Sequence, residues 1–79
     1  MMNKLARLAI NDEGFIFDPV TGNSFTTNRV GLWILKQLKE GKEPMQIWQE
    51  MTARFEVDPE TAERDLTDFI GQLRTYKLL

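Results

Sequence analysis

Apolar residues in the first quarter of the chain fall into short runs that are separated by turn residues. Residues 4–10 are apolar and mixed, and residues 15–17 form an aromatic and β-branched run. The Asn, Asp, Glu and Gly at positions 11–14 supply turn chemistry between the two runs, which indicates a hairpin. A second turn at positions 18–23 contains Pro, Gly and Asn, and the run 24–27 after it has Phe25 as its one bulky residue. This quarter therefore predicts three short strands.

Helical spacing begins directly after the third predicted strand. Thr27 or Asn28 can serve as N-cap, because a side-chain oxygen there accepts from the free N–H groups of the first helical turn. Gly41 ends this helix. Its apolar stripe consists of Val30, Ile34, Leu35 and Leu38. Leu32 and Trp33 fall outside the stripe, and we expect them to pack on the strands or on a neighbouring helix.

Two further helices are predicted from start signals that include proline. Pro44 is favoured at a first helical position, and the second helix runs from there to about Phe55. Asp58 is the N-cap of the third helix, with Pro59 in its first position. The inner faces consist of Ile47, Trp48, Met51 and Phe55 in the second helix, and of Ala62, Leu66, Phe69, Ile70, Leu73 and Tyr76 in the third.

These elements predict an α+β fold: a small three-stranded antiparallel N-terminal sheet followed by a three-helix bundle, in a winged-helix-like arrangement. With 79 residues, of which 42% are hydrophobic, the chain is too short to bury two cores. We therefore expect residues 1–79 to form a single domain.

The composition excludes most catalytic chemistry. The chain contains no Cys and no His, which excludes disulfides, thiolate and imidazole catalysis and the usual zinc sites. The carboxylates of the third helix lie mainly outside its apolar stripe and are typical of a solvated face, and the five glycines are too scattered for a phosphate loop. We therefore expect no catalytic residue, no metal ion and no cofactor.

The charge distribution argues against a nucleic-acid partner. The third helix of a winged-helix fold often enters the major groove of DNA, but residues 56–68 hold six acidic residues and one basic residue, Arg64. The formal net charge is −2, so the chain would bring negative charge toward phosphates. No apolar run approaches the roughly 18 residues of a spanning helix, and residues 1–10 lack the features of a signal peptide. We expect a cytoplasmic protein without a membrane partner.

A sheet of three short strands leaves an outer strand with unpaired N–H and C=O groups. An extended peptide can complete such an edge as an added strand, but a short edge can also simply be blunted, and the residues alone leave both readings open. A protein adaptor that uses Leu32 and Trp33, if these stay exposed, is a second hypothesis, and DNA binding is a third. Because two copies of the chain can also pair through an open edge, a homodimer is a further alternative.

Three blocks of the sequence resemble the PqqD family over residues 11–79. The block FDPVTGNSFTTNRVG, at positions 17–31, is similar to the family's strand, turn and strand followed by Asn-x-x-Gly. The pair IL followed by Leu38 and Gly41 resembles the end of the family's first helix. The block VDPETAERDLTDFIGQLRTYKLL, at positions 57–79, resembles its third helix and C-terminus. The family usually has Leu where Thr27 stands and commonly Trp where Leu35 stands, so the branch of the family is left open.

The resemblance implies a non-catalytic peptide chaperone, or recognition element for ribosomally made and post-translationally modified peptides (a RiPP recognition element). Such proteins hold the leader of a precursor peptide as an extra strand between the third strand and the third helix, and present it to a modifying enzyme, often a radical SAM protein. Carried onto this chain, the peptide-binding residues are Ser24, Phe25, Thr26, Thr27, Arg64, Asp65, Asp68, Phe69 and Gln72.

Each part of this implied site has its own expected role. The backbone groups of residues 24–27 are expected to supply the ladder hydrogen bonds. Asp65, Asp68 and Arg64 either sense the charge of the leader or form a solvated helix face, and Phe69 can equally belong to the core. The client is either the precursor of pyrroloquinoline quinone or another peptide.

Overall fold

The computed structural model describes residues 4–79. In this range the strands are β1 (Ala9–Ile10), β2 (Phe15–Phe17) and β3 (Ser24–Thr26), and a short 3₁₀ helix at Lys4–Arg7 precedes them. The helices that follow the strands are α1 (Arg29–Lys39), α2 (Pro44–Arg54) and α3 (Pro59–Thr75). The predicted α+β architecture, a small antiparallel sheet followed by three helices, is confirmed.

Two expectations extend beyond this range. The predicted domain 1–79 and the segment 1–10, which is expected to contain no signal peptide, both begin with residues 1–3. These three residues lie outside the described range. Within residues 4–79, the model contains no helix with the length and apolar character needed to cross a membrane.

The predicted strand at residues 4–10 is correct only in its last part, because the 3₁₀ helix occupies the first. Leu5 and Leu8 are both buried, and their spacing of three residues places them on one side of a helix with three residues per turn. The Leu8 N–H donates to the Leu5 carbonyl at 3.1 Å. Only Ala9 and Ile10 are left to pair with β2.

The sheet has the strand order β1, β2, β3, so β1 and β3 are its two edges. Ile16 of β2 lies opposite Ile10 of β1 and Phe25 of β3. These three side chains share the inner face, where Ile16 is completely buried and the other two are half-buried. The alternation of side chains places Phe15 and Phe17 on the outer face.

Local side-chain and proline signals set the helix starts. Asn28, and not Thr27, is the N-cap of α1: its Oδ1 accepts from the Gly31 N–H at 2.8 Å. At the start of α3, Asp58 Oδ1 accepts from the Thr61 N–H at 2.7 Å, and this hydrogen bond holds the pKa of the Asp58 carboxyl below its usual value. Helix α2 begins at its proline without a side-chain cap.

The core lies where the helices meet the inner face of the sheet. Its largest completely buried side chains are Leu5, Ile16, Ile34, Leu35, Ile47, Met51 and Leu73. Leu32 is also buried, and Trp33 is half-buried with its ring edge-on to Phe55, as expected for packing on a neighbouring helix. The prediction is wrong for Tyr76, which is 48% exposed and lies just past the end of α3. Its ring stacks on Phe25 with 4.8 Å between the centroids.

Candidate functional site

The edge strand β3 turns alternate backbone groups toward β2 and away from it. The Thr27 N–H donates to the Gly14 carbonyl at 2.9 Å, and the Asp18 N–H donates to the Asn23 carbonyl at 2.8 Å. These two pairs lie two residues on either side of Phe25, and hydrogen-bonded pairs alternate with non-hydrogen-bonded pairs in an antiparallel ladder. The backbone groups of positions 23, 25 and 27 therefore face β2.

Ser24 and Thr26 consequently point their N–H and C=O groups outward, away from the sheet. Among residues 4–79, no side chain and no other backbone segment is hydrogen-bonded to these groups. Backbone groups of all four residues 24–27 are expected to bind the leader. The structure leaves only Ser24 and Thr26 able to do so, because the backbone groups of Phe25 and Thr27 face β2. The free edge consists of two outward donors and two outward acceptors.

A groove of about 380 Å³ runs beside the free edge, between β3 and the helices α1 and α3. Its lining consists of Thr26, Thr27, Asn28, Val30, Gly31, Ile34, Asp65, Asp68, Phe69 and Gln72. The four residues from α3 recur at helical spacing, so one face of that helix forms the wall. Phe69 is only 6% exposed and belongs to the core as well as to the groove, whereas Asp65 and Asp68 are exposed.

The groove brings together most of the predicted site residues, with three exceptions. Arg64 is not part of the lining, although its acidic neighbours are. Ser24 and Phe25 border a second cavity of about 210 Å³ at the other end of β3, which Tyr76 and Leu78 also line. Cavities therefore flank β3 at both ends, with the stacked rings of Phe25 and Tyr76 bordering the second one.

Within residues 4–79, no cation neutralises the negative charge of the groove wall. Neither the Asp65 nor the Asp68 carboxylate is hydrogen-bonded or ion-paired to another residue in the described range. Arg64, which is adjacent in sequence, forms no salt bridge with either carboxylate. The wall is therefore apolar at Phe69 and acidic at its rim.

Sequence reasoning missed the contribution of α1 to the groove. The helical pattern places Val30 and Ile34 in the core stripe, and Gly31 is the glycine of the Asn-x-x-Gly motif. A Cβ at position 31 would collide with the Thr27 hydroxyl and would lie 3.1 Å from the Phe69 ring. A glycine at this point lets the end of β3 and the wall of α3 approach α1 closely. The motif was the signal from which this could have been inferred.

Buried Asp18 fixes the turn that leads into β3. Arg7 donates from Nε and Nη2 to the two carboxylate oxygens at 2.9 and 2.8 Å, and the Val20 N–H donates to Oδ1 at 3.0 Å. The Arg7 hydrogen bond is the main cause that lowers the pKa of Asp18 to about 2. The carbonyl of the same residue accepts from the Gly22 N–H at 2.8 Å. The turn before the free edge is thereby tied to the 3₁₀ helix.

Comparison with known proteins identifies the family. The family model for Coenzyme PQQ synthesis protein D (PqqD) matches residues 13–79. The chain belongs to the PqqD family. The match confirms the resemblance seen in the three sequence blocks, and it covers β2, β3 and all three helices, while β1 precedes it. No curated protein sequence matches the chain.

Two solved structures resemble this PqqD-family chain closely. One, described as TbiB1 in complex with the TbiA(beta) leader peptide, is 40% identical with a TM-score of 0.80, over 91% of this chain and 85% of that one. The other, lasso peptide synthetase B1 complexed with the leader peptide, is 27% identical with a TM-score of 0.75, over 87% of this chain and 82% of that one. Both similar proteins were thus solved with a leader peptide.

Proposed function

We propose that this PqqD-family chain binds the leader of a ribosomally made precursor peptide as an added strand at β3. The observation that carries the proposal is the pair of outward N–H and C=O groups on Ser24 and Thr26, which lie beside a groove. In strand addition, main-chain hydrogen bonds give affinity and pockets for alternate side chains give specificity. The leader complexes of the two similar proteins support a leader peptide as the ligand.

The predicted site residues then have distinct roles. Ser24 and Thr26 pair with the leader backbone, and Phe25 and Thr27 hold the edge in place from within the sheet. The leader side chain that points inward meets Phe69, while the amide of Gln72 lies exposed beside it. Asp65 and Asp68 disfavour an acidic leader residue at the rim, because like charges repel in the absence of a counterion. Arg64 lies outside the lining and acts only through its charge.

The proposed role is non-catalytic, and the chemistry belongs to a separate modifying enzyme to which the bound leader is presented. The family description names pyrroloquinoline quinone synthesis, whereas one similar protein is a lasso peptide synthetase component. The client is therefore a ribosomal precursor peptide of either kind, and a radical SAM protein is the enzyme that the family resemblance suggests. We place this step in the cytoplasm, where ribosomal precursors are made.

A homodimer through β3 would use the same outward groups as the leader. Edge-to-edge pairing of two copies and leader binding therefore exclude each other, since each outward N–H of Ser24 and Thr26 can donate to one strand only. If such a dimer forms, the leader must displace it, and leader affinity falls as the protein concentration rises.

Titration of ¹⁵N-labelled protein with the TbiA(beta) leader peptide tests the proposal. We expect the largest amide shifts at Ser24 and Thr26 and along the groove face of α3. Thr26→Pro removes one outward donor and should weaken binding roughly tenfold or more, since a lost hydrogen bond with an unpaired partner costs about 1–3 kcal/mol. Proline is tolerated on an edge strand whose N–H faces solvent, so the fold should survive.

Thr26→Val is the matched control, because it keeps the N–H and the branched side chain and should bind like the wild type. Circular dichroism melting checks that all variants are folded. The proposal is rejected if neither this peptide nor a precursor encoded beside the gene shifts the β3 amides, or if folded Thr26→Pro retains full affinity.

A further inference from the structure

The outer face of the sheet exposes two aromatic rings between small neighbours. Phe15 is 47% and Phe17 is 40% exposed. The register places Phe17 between Ala9 and Ser24, and it places Phe15 opposite Thr26. A solvated sheet face normally carries polar side chains. Two adjacent exposed rings on one short strand therefore indicate a surface that becomes covered.

A strand added at β3 would extend this outer face by one row of side chains. Successive side chains of a strand point to opposite faces, so the leader residues that pair with Ser24 and Thr26 lie on the outer face. The leader residue between them points toward the groove. This parity holds for a parallel and for an antiparallel leader alike.

The small side chains of β3 leave room for contact across the strand. Neighbouring strands lie about 4.8 Å apart, so the leader backbone would lie roughly 10 Å from β2. Only Ser24 and Thr26 stand between them on the outer face. Side chains from both sides can lean over such small residues, and aromatic rings interact when their centroids are about 4.5–7 Å apart.

Resting on the proposed function, we infer that Phe15 and Phe17 form a second contact for the leader, on the opposite face of the sheet from the groove. The leader is then held by two sets of side chains. One set enters the groove beside Phe69, and the other set, made of aromatic or long aliphatic residues, covers the two rings. The recognised segment is thus an extended peptide with bulky apolar residues at two alternate positions, i and i+2.

The position of the rings favours the leader over other occupants. Phe15 and Phe17 are two residues apart, as are Ser24 and Thr26. In the register between β2 and β3, Phe15 lies opposite Thr26 and Phe17 lies opposite Ser24. The aromatic face is therefore continuous with the edge at which the leader backbone would bind. The modifying enzyme would need no such register with the edge. A second copy paired through β3 would share it, but the two similar proteins were solved with a leader peptide.

Phe15→Thr and Phe17→Thr test this inference with the TbiA(beta) leader peptide. Threonine removes the ring but keeps a high strand propensity. We expect roughly tenfold weaker binding for each variant, measured by fluorescence anisotropy, because aromatic contacts and ring burial are both lost. Met45→Ala, which truncates a 65% exposed side chain on α2, is the control and should change affinity less than about twofold.

An alanine scan of the leader sharpens the test. In the wild type, the leader positions at which alanine weakens binding should form two sets. One set faces the groove and the other faces the two Phe rings, and the two sets alternate along the leader. In Phe15→Thr and Phe17→Thr, the outer set should lose its sensitivity while the groove set keeps it, which is the coupling that a double-mutant cycle measures. If a variant does not fold, NOEs between leader side chains and the two Phe rings in the wild-type complex decide the question.

Failure of this inference is distinguishable from failure of the proposed function. Full affinity in both Phe variants, together with the loss in Thr26→Pro, would overturn the outer contact and leave strand addition at β3 intact. A defect that appears only with the modifying enzyme, or only in sedimentation as changed self-association, would assign the face to those partners and also overturn it. The absence of NOEs to both rings in the wild-type complex would do the same.

Discussion

The two edge strands of the sheet differ in how many outward backbone groups they leave without a hydrogen-bond partner. On β1, the Asn11 N–H donates to the Phe15 carbonyl at 3.0 Å, so by alternation the outward groups belong to Leu8 and Ile10. Both groups of Leu8 are occupied: its N–H donates to Leu5, and its carbonyl accepts from Lys39 Nζ at 3.0 Å. Among the residues that the structure describes, the β1 side therefore leaves only Ile10 with its outward groups free.

On β3, by contrast, Ser24 and Thr26 keep all four outward groups uncovered within the described residues. An uncovered edge invites unwanted strand pairing, and proteins usually shorten or cover it. At β1 the chain does both, whereas β3 is one residue longer and its outward groups stay uncovered. This difference supports the proposed addition of a strand at β3, and substitutions can change the two sides of the contrast separately.

The largest effect is expected at Gly14, which lies against the open strand. Gly14 has φ +92°, and a Cβ there would collide with the Thr27 carbonyl. Gly14→Ala should lower the free energy of unfolding by about 3 kcal/mol or more, because backbone strain and the collision add. Gly22→Ala is the matched control: its φ is +81° but no atom lies within 4 Å of the new Cβ, so it should cost only about 1 kcal/mol. Urea unfolding measures both, and equal losses would contradict the close approach of β2 and β3.

The helix starts could be predicted from the sequence because they depend on local chemistry. Asn28, Asp58 and the prolines after Glu43 and Asp58 act within one turn of the chain. The closed edge could not be predicted in the same way. Its 3₁₀ helix depends on the joint burial of Leu5 and Leu8, and its cover depends on Lys39, which is 31 residues away in sequence from the carbonyl that it contacts.

The α3 wall of the candidate site could be predicted from the sequence, but the outward N–H and C=O groups of β3 could not. The helical spacing of Asp65, Asp68 and Phe69 together with the family motif indicated one face of α3. Which backbone groups of β3 point outward depends on the register with β2, and a shift by one residue would exchange the two sets. Three-residue strands specify this register through distant contacts, such as the approach of Gly14 to Thr27.

The next effect concerns the ion pair between Arg7 and Asp18, which ties the turn before β3 to the helix before β1. Because the pKa of folded Asp18 is about 2, below its ordinary 3.8, the pair stabilises the fold above the ordinary pKa. That contribution is lost as the pH falls from about 5 toward 2. Asp18→Asn should therefore lower stability at pH 7 and flatten the acid dependence of the free energy of unfolding.

Asp12→Asn is the control for this titration. The Asp12 carboxylate is 94% exposed, and within the described part of the chain its one ion pair is with Lys36 at 3.0 Å, so its removal should have little effect on stability. Urea unfolding between pH 2 and pH 7 compares the two variants with the wild type. If the free energy of unfolding falls equally with pH in Asp18→Asn and in the wild type, another carboxylate accounts for the loss of stability in acid.

The smallest effect is expected when the cover of the closed edge is removed. Lys39→Met keeps most of the side-chain stem but removes the ammonium from the Leu8 carbonyl, which should cost about 1 kcal/mol or less. Lys36→Met, which breaks only an exposed pair, should cost less still. Leader affinity should not change in either variant, because β1 lies on the far side of β2 from β3.

The β1 edge is closed both by its shortness and by the Lys39 ammonium on the Leu8 carbonyl. Sedimentation of Lys39→Met separates these two causes. A two-residue strand offers too few groups for an added strand, so we expect the same sedimentation coefficient as in the wild type. New self-association, or a second bound leader per chain, would show that the lysine rather than the shortness of β1 keeps this edge closed. In that case one ammonium group would account for the difference between the two edges.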